Sequence, residues 1–303
     1  MELSNLTTEK RNKSSMTLDQ MSIMEALHTI NDEDKKVARA VESVLPKVNI
    51  SIEKIYKSLA KGGRLFYVGA GTSGRLGVID ASECPPTFMT PPEKVQAIMA
   101  GGNEAFFSAV EGCEDNENQG AEDLEAKLLT SDDVVIGITA SGRTPYPIGA
   151  LKYARKIGAY TISLSCNEHS EISRHADCEI EVVVGPEVLT GSTRMKAATA
   201  HKMILNMIST TTMIQLGKVH ENLMVDVHAS NYKLMERAKR TIMEITKASY
   251  DEAEKVLKET NHEVKPAVVM IETGAGFKEA QKAIHQNNGY VRKAIAHILK
   301  QST

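Results

Sequence analysis

The chain has 303 residues, 42% of them hydrophobic and 25% charged, with a net charge of −3. That is the balance of an ordinary globular protein, long enough for one large domain or for a domain with a smaller companion. The slight acidity excludes the electrostatic footprint of a nucleic-acid binder and of an anionic-membrane binder, so any anion must be held locally, by loops and helix ends.

Residues 1–17 are polar (MELSNLTTEKRNKSS opens the chain) and lack the apolar centre of a signal peptide; a flexible N-terminus and a cytoplasmic location are expected. No apolar run approaches the length of a bilayer span. Met21, Met24, Leu27 and Ile30 recur at helical spacing. Asn31 and Asp32 can cap a second helix carrying Val37, Val41 and Val44. Pro46 is placed to open a third, with Val48, Ile52, Ile55 and Leu59 inward, ended by Gly62-Gly63.

The texture then changes. Apolar runs at 64–68, 95–100, 133–139, 160–165 and 178–184 read as strands and alternate with helical stretches. One of these, at 75–83, is short and is broken by Pro85-Pro86. Near-continuous apolar strands between helices point to an α/β fold: a three-layer αβα sandwich on a parallel sheet. A long helix over 193–218 carries Met203, Met207 and Met213, which suit flexible core or subunit packing. Every later segment reads as helical. The expected organisation is an α/β domain with its N-terminal helices over 18–230 and a small helical subdomain over 231–303. Gly274-Ala275-Gly276 and Gly289 space its last helices in a three-helix, UBA-like arrangement.

The four cysteines (Cys84, Cys113, Cys166 and Cys178) form no CxxC pair and share no metal-ligand spacing with histidine. Reduced thiols, no metal and no cofactor are expected.

Ligands of open α/β sheets bind at the carboxyl ends of strands, near a switch in strand order. Two candidate loops follow strands here. Gly69 to Gly74 matches G-x-G-x-x-G, a pattern that a dinucleotide site shares. A dinucleotide fold wants an acid at the tip of the next strand, and here that strand ends in Ala100-Gly101-Gly102. Thr72, Ser73 and Gly74 suit a monophosphate instead, and Ser141, Gly142, Arg143 and Thr144 repeat the chemistry after the third strand. Tight turns and helix caps explain either loop alone. The pair favours a sugar phosphate. A third segment, with Glu187, Ser192 and Thr193, can complete the ligand shell, although capping explains it as well.

Glu83 falls at the expected end of the 75–83 helix, facing the negative end of the dipole, which suits a general acid. Glu114 lies among acids around Gly112, where a solvated turn is the plainer reading from spacing alone. Two carboxylates beside a phosphate clamp and no metal cluster suit proton transfer next to a sugar carbonyl. The resulting enediolate can isomerise or expel a group from C3.

GAGTSGRLGVIDASECPPTF at 69–88 resembles the signature of the N-acetylmuramic acid 6-phosphate etherases. So do ASGRTPY at 140–146, LTGSTRMK at 189–196, and LGKV at 216–219 with NLMVDV at 222–227. The likeness runs from about Thr17 onward. It implies the sugar-isomerase (SIS) fold, shared with glucosamine-6-phosphate synthase and the glucokinase regulatory protein. It also implies lyase chemistry: D-lactate leaves C3 of the ring-opened sugar, water adds, and N-acetylglucosamine 6-phosphate results. Glu83 matches the family's proton donor to the departing oxygen, and Glu114 the second catalytic carboxylate, taken as the base at C2. Ser73, Ser141 and Thr144 match phosphate-binding positions. Glu187 aligns with a catalytic carboxylate of the synthase, which gives it an auxiliary role. The family is homodimeric, with sites near the subunit interface. A sugar-phosphate-sensing binding protein and an aldose–ketose isomerase are the alternatives on the same fold.

Overall fold

The computed structural model describes residues 6–227 and 232–301. The chain forms two compact units: Met1–Ser82 with Pro92–Ser209, and Glu83–Pro91 with Thr210–Thr303.

The first unit opens with α1 (Ile23–Asp34) and α2 (Val37–Ala60). Ser22 caps α1 in a reciprocal box with Glu25, and the helix runs through Asn31 and Asp32, which cap nothing. Pro46 does not begin a helix either. It lies inside α2, on its exposed face. The reason is energetic. Val37, Val41, Val44, Val48, Ile55 and Leu59 form one buried stripe, each worth about 1.5–3 kcal/mol. Together they outweigh the roughly 3 kcal/mol of an interior proline.

The rest of this unit alternates strand and helix. β1 (Leu65–Gly69) leads to α3 (Gly71–Phe88), and β2 (Val95–Met99) to the short α4 (Glu104–Phe107) and α5 (Glu117–Glu125). β3 (Val134–Ile138), α6 (Pro145–Ile157), β4 (Tyr160–Ser165), β5 (Cys178–Glu181) and α7 (Lys196–Gln215) follow. All strand pairs are parallel, in the order β2-β1-β3-β4-β5. The strand order therefore reverses between β1 and β3.

Alternate residues of the strands feed two cores, as the period of a strand requires. Phe66, Val68 and Val135 join Leu124 of α5 and Tyr146, Leu151 and Ala154 of α6 in one cluster. On the other face Gly77 of α3 sits against Tyr67, where an added Cβ would come within 2.9 Å of the Tyr67 Cβ. The Tyr67 hydroxyl donates to Asp80 at 2.8 Å, and Asn206 and Ser209 donate to the same buried carboxylate. Burial pushes the Asp80 carboxyl above its ordinary range, against the pull of these donors.

Two further expectations change. Pro85 and Pro86 do not stop α3 at Glu83; the helix continues to Phe88, and Met89 N closes on Pro85 O at 3.0 Å. The N-terminal stretch from Leu6 is docked rather than flexible. Thr8 and Asn12 are buried, Asn12 donates to Pro186 O, and Ser15 donates to Val188 O. Residues 1–5 lie outside the described residues.

The second unit contains a two-stranded antiparallel pair, β6 (Val219–His220) and β7 (Leu223–Met224). Five helices follow: α8 (Tyr232–Thr246), α9 (Tyr250–Glu259), α10 (Val264–Thr273), α11 (Phe277–Gln286) and α12 (Val291–Gln301). They share one core that includes Ile242, Leu257, Val268, Ala283 and Ile298. Gly274 ends α10 in the left-handed conformation, as a C-terminal cap does. No helix among the described residues is long and apolar enough to cross a membrane.

Helices α5 and α6 cross at glycines. A Cβ on Gly149 would lie 1.9 Å from the Glu117 carbonyl oxygen, and one on Gly120 2.0 Å from that of Tyr146. Backbone cannot yield as a side-chain tip can. Gly149→Ala is therefore expected to destabilise the protein by about 3 kcal/mol, read as a lowered midpoint in chemical denaturation. An unchanged midpoint would contradict the packing described.

Candidate active site at the strand-order switch

Gly69 of β1 pairs in register with Ile138 of β3. The loops that follow these strands therefore leave the sheet side by side, at the place where open α/β sheets hold ligands. The first loop turns at once into α3. An added Cβ on Gly69 would meet Gly74 N at 2.9 Å, and one on Gly74 would meet Gly69 O at 2.8 Å. Only glycine allows that closure. Thr72 and Ser73 thus stand in the first turn of an 18-residue helix, whose unpaired N–H groups and positive dipole end suit a phosphate.

The second loop leads into α6, with Thr144 at the N-cap and Pro145 in the first helical position. Gly142 adopts φ 74°, and a Cβ there would strike Ser170 Oγ at 2.2 Å. Thr139 Oγ1 lies 2.7 Å from Thr144 Oγ1 and 3.2 Å from Ser141 Oγ, and Ser141 Oγ accepts from Arg143 N. The hydroxyls are thereby clustered at the mouth of the helix.

Two residues that support this loop were not singled out from sequence. Thr139 was read only as strand. Asn167 is buried, donates to the carbonyls of Ala140 and Ser141, and exchanges hydrogen bonds with Thr8 N and Thr8 Oγ1. A lone Asn after a strand carries no signal of that role, because the partners come from distant segments.

Glu114 is exposed and lines a pocket of about 170 Å³ with Gly71, Arg75, Met99 and Ala100. It therefore opens on the space beside the first loop. Glu83 is exposed on α3 and belongs to the second unit. Its helix runs on past it, so it does not sit at the negative end of a dipole.

The third segment behaves differently. Glu187 is fully buried, and its two carboxylate oxygens accept from Lys196 N and Ala197 N, both at 3.0 Å. Both oxygens thereby cap α7. Ser192 and Thr193 are half-buried in the turn before α7. Lys196 is also buried and donates to Glu33 at 2.6 Å, while Lys36 reaches the other oxygen of that carboxylate. Burial by itself would raise the Glu33 carboxyl, but hydrogen bonds from Lys196, Lys36 and Asn12 overcome it and hold it at about 2.

A larger cavity, about 650 Å³, lies in the helical unit among Met89, Val225, Asp226, Lys265, Ile284 and His285. None of the site residues expected from sequence lines it.

With this geometry established, similarity to known proteins decides the family. A protein of Bacillus subtilis named N-acetylmuramic acid 6-phosphate etherase is 57% identical over 297 residues, covering 98% of each chain. N-acetylmuramic acid 6-phosphate etherase 1 of Bacillus licheniformis is 59% identical over 271 residues, 89% of each. The chain belongs to the N-acetylmuramic acid 6-phosphate etherase family. The etherase 2 of Enterococcus faecalis is 55% identical, covering 90% of this chain and 92% of its own. The family model for the glucokinase regulatory protein N-terminal SIS domain matches residues 47–155, and that for the SIS domain matches 116–213. Between them these spans contain both hydroxyl loops and both glutamates.

Within this etherase-family chain, Glu33→Gln leaves the buried Lys196 ammonium without its charge partner. A loss of about 3–5 kcal/mol is expected, measured by denaturant unfolding at neutral pH. The sign of the pH dependence follows from the depressed carboxyl. The Glu33 contribution is present above the ordinary carboxylate range, near 4.5, and is lost as pH falls through about 2. The gap between wild type and Glu33→Gln should close over that window. A constant gap would contradict the ion pair.

Proposed function

We propose that this chain cleaves the D-lactyl ether of N-acetylmuramic acid 6-phosphate, giving N-acetylglucosamine 6-phosphate and D-lactate in the recycling of cell-wall amino sugars. It is an enzyme, a carbon–oxygen lyase, as its near full-length identity to named etherases supports. The observation that carries the site assignment is the pocket in which Glu114 stands beside Gly71, at the edge of the first hydroxyl loop.

Thr72, Ser73 and Gly74 from one loop and Ser141, Gly142, Arg143 and Thr144 from the other hold the 6-phosphate between two helix N-termini. Ser192 and Thr193 stand as further candidates for the shell. With the ring open, the C1 carbonyl makes the C2 hydrogen acidic. Glu114 takes that proton. The C2–H electron pair moves to form the C2–C3 double bond, and the C3–O bond breaks with its electrons on oxygen. Glu83 protonates that oxygen, and D-lactate leaves. Water then adds its oxygen to C3 of the unsaturated aldehyde, while a proton returns to C2. One water is consumed overall, and neither a redox step nor a metal enters.

A phosphorylated sugar is too strongly charged to enter a bilayer unaided, so the reaction belongs in the cytoplasm. The working form is a homodimer. In its support, Ile23, Met24 and Leu27 present an apolar stripe on α1 that is 54–83% exposed in the single chain. Leu27→Asp is expected to shift the sedimentation coefficient from dimer to monomer. A monomeric wild type would end that reading.

Coupled detection of D-lactate from N-acetylmuramic acid 6-phosphate tests the activity. Glu83→Gln is expected to lower lactate release by at least about a thousandfold. Affinity for N-acetylglucosamine 6-phosphate, measured by calorimetry, should change less than about threefold. Normal turnover by Glu83→Gln would remove Glu83 as the acid. Interconversion of aldose and ketose phosphates without lactate would favour an isomerase.

A further inference from the structure

We propose that Arg75 is a positioning residue that sets the distance between Glu114 and the first phosphate loop; this rests on the reading of Glu114 as the base. Glu114 stands in a short 3-10 turn, Cys113–Asp115, on the excursion between β2 and α5, and Cys113 packs against the core cluster shared with α6. Gly101 turns the chain out of β2 at φ 81°, and Gly112 turns it back at φ 77° just before Glu114. Between them the segment folds on itself. Ala105 is buried, the Cys113 thiol donates to Val110 O at 3.0 Å, and an added Cβ on Gly101 would meet Ala105, Val110 and Cys113 within 3.2 Å. Cys113 rests the far end of the excursion on the core, but contacts within it do not fix its 105–108 stretch over α3.

Arg75 does. It lies in the first turns of α3, next to Gly74. Its Nε donates to Phe106 O at 3.0 Å, and its Nη2 donates to Ala105 O at 2.7 Å and to Ser108 O at 3.4 Å. These carbonyls belong to the short α4 and the residue after it, where the last turn leaves its acceptors unpaired. No acidic side chain forms an ion pair with Arg75 among the described residues. The guanidinium is committed to backbone. Arg75 also lines the pocket with Gly71 and Glu114. One side chain thus ties the helix that presents the phosphate loop to the segment that presents the carboxylate. The fork geometry matters, since a lysine ammonium has no rigid pair of donors with which to span adjacent carbonyls.

A displacement of the base by about 1 Å can lower turnover about a hundredfold, whereas phosphate binding rests on the loops themselves. Arg75→Ala is therefore expected to lower kcat for lactate release by about 30- to 100-fold, with KM and the affinity for N-acetylglucosamine 6-phosphate within about threefold of wild type. Amide hydrogen exchange over residues 104–115 should speed at least about tenfold, with residues 139–144 unchanged. Arg75→Lys should fall between the two on both readouts, and carries the comparison if Arg75→Ala does not fold. Unchanged exchange over 104–115 would overturn the clamp. Faster exchange with kcat within twofold of wild type would overturn its bearing on the chemistry. Loss of sugar-phosphate affinity in step with kcat would mark a general structural role and overturn it too. Wild-type protein that releases no lactate would instead refute the etherase reading, and the catalytic part of the clamp with it, while exchange would still report whether Arg75 holds the segment.

Discussion

The site depends on the in-register parallel pairing of β1 with β3. The pairing puts Gly69 opposite Ile138, and because the strand order reverses there, the two following loops diverge to opposite faces and leave a crevice between helix starts. Everything in the candidate site hangs on that crevice. The glycines that close the first loop and the hydroxyl cluster that closes the second are adaptations to it. A slip of one residue in the pairing would send Phe66 and Val68 to the wrong core and misplace both loops together.

Charge is handled in two ways around this frame. At the strand ends there are helix N-termini and hydroxyls, groups of the kind that suit an anion. Away from the crevice a few charged groups are buried, and these are paired. Glu33 and Lys196 are almost completely enclosed, and Glu187 spends both oxygens on the N-terminus of α7. A buried pair of that kind adds little net stability over an apolar replacement, yet is expensive to break. It therefore acts as a fixed joint between α1 and α7. Asn167 does comparable work without charge, joining the docked N-terminal stretch to the carbonyls of the second loop.

Much of the fold was legible in the chain. The strands fell within a few residues of their observed places, because a parallel strand buried on both faces reads as an unbroken apolar run. The two loops were legible as turns after strands because glycine, serine and threonine cluster where a strand gives way to a helix start. The errors share one cause. Pro46 was given its local meaning as a helix start, Pro85 and Pro86 theirs as helix breakers, and Asn31 and Asp32 theirs as caps, but packing of an entire helix face outweighed each local preference. The N-terminal residues were read as loose because their polar side chains find their partners only in distant segments. The burial of Glu187 was hidden for the same reason, since nothing near it in sequence reveals that it is enclosed.

By itself the sequence determined the α/β class, the two loops that follow strands and, through the long motif at 69–88, the family, since these reside in local composition and in the order of residues. Tertiary structure alone decided which loops share the crevice, that Glu187 is a cap, that Glu33 holds Lys196, and that Arg75 reaches across to the segment bearing Glu114. Those facts are contacts between residues far apart in the chain. Their energies depend on burial and geometry that no local pattern encodes.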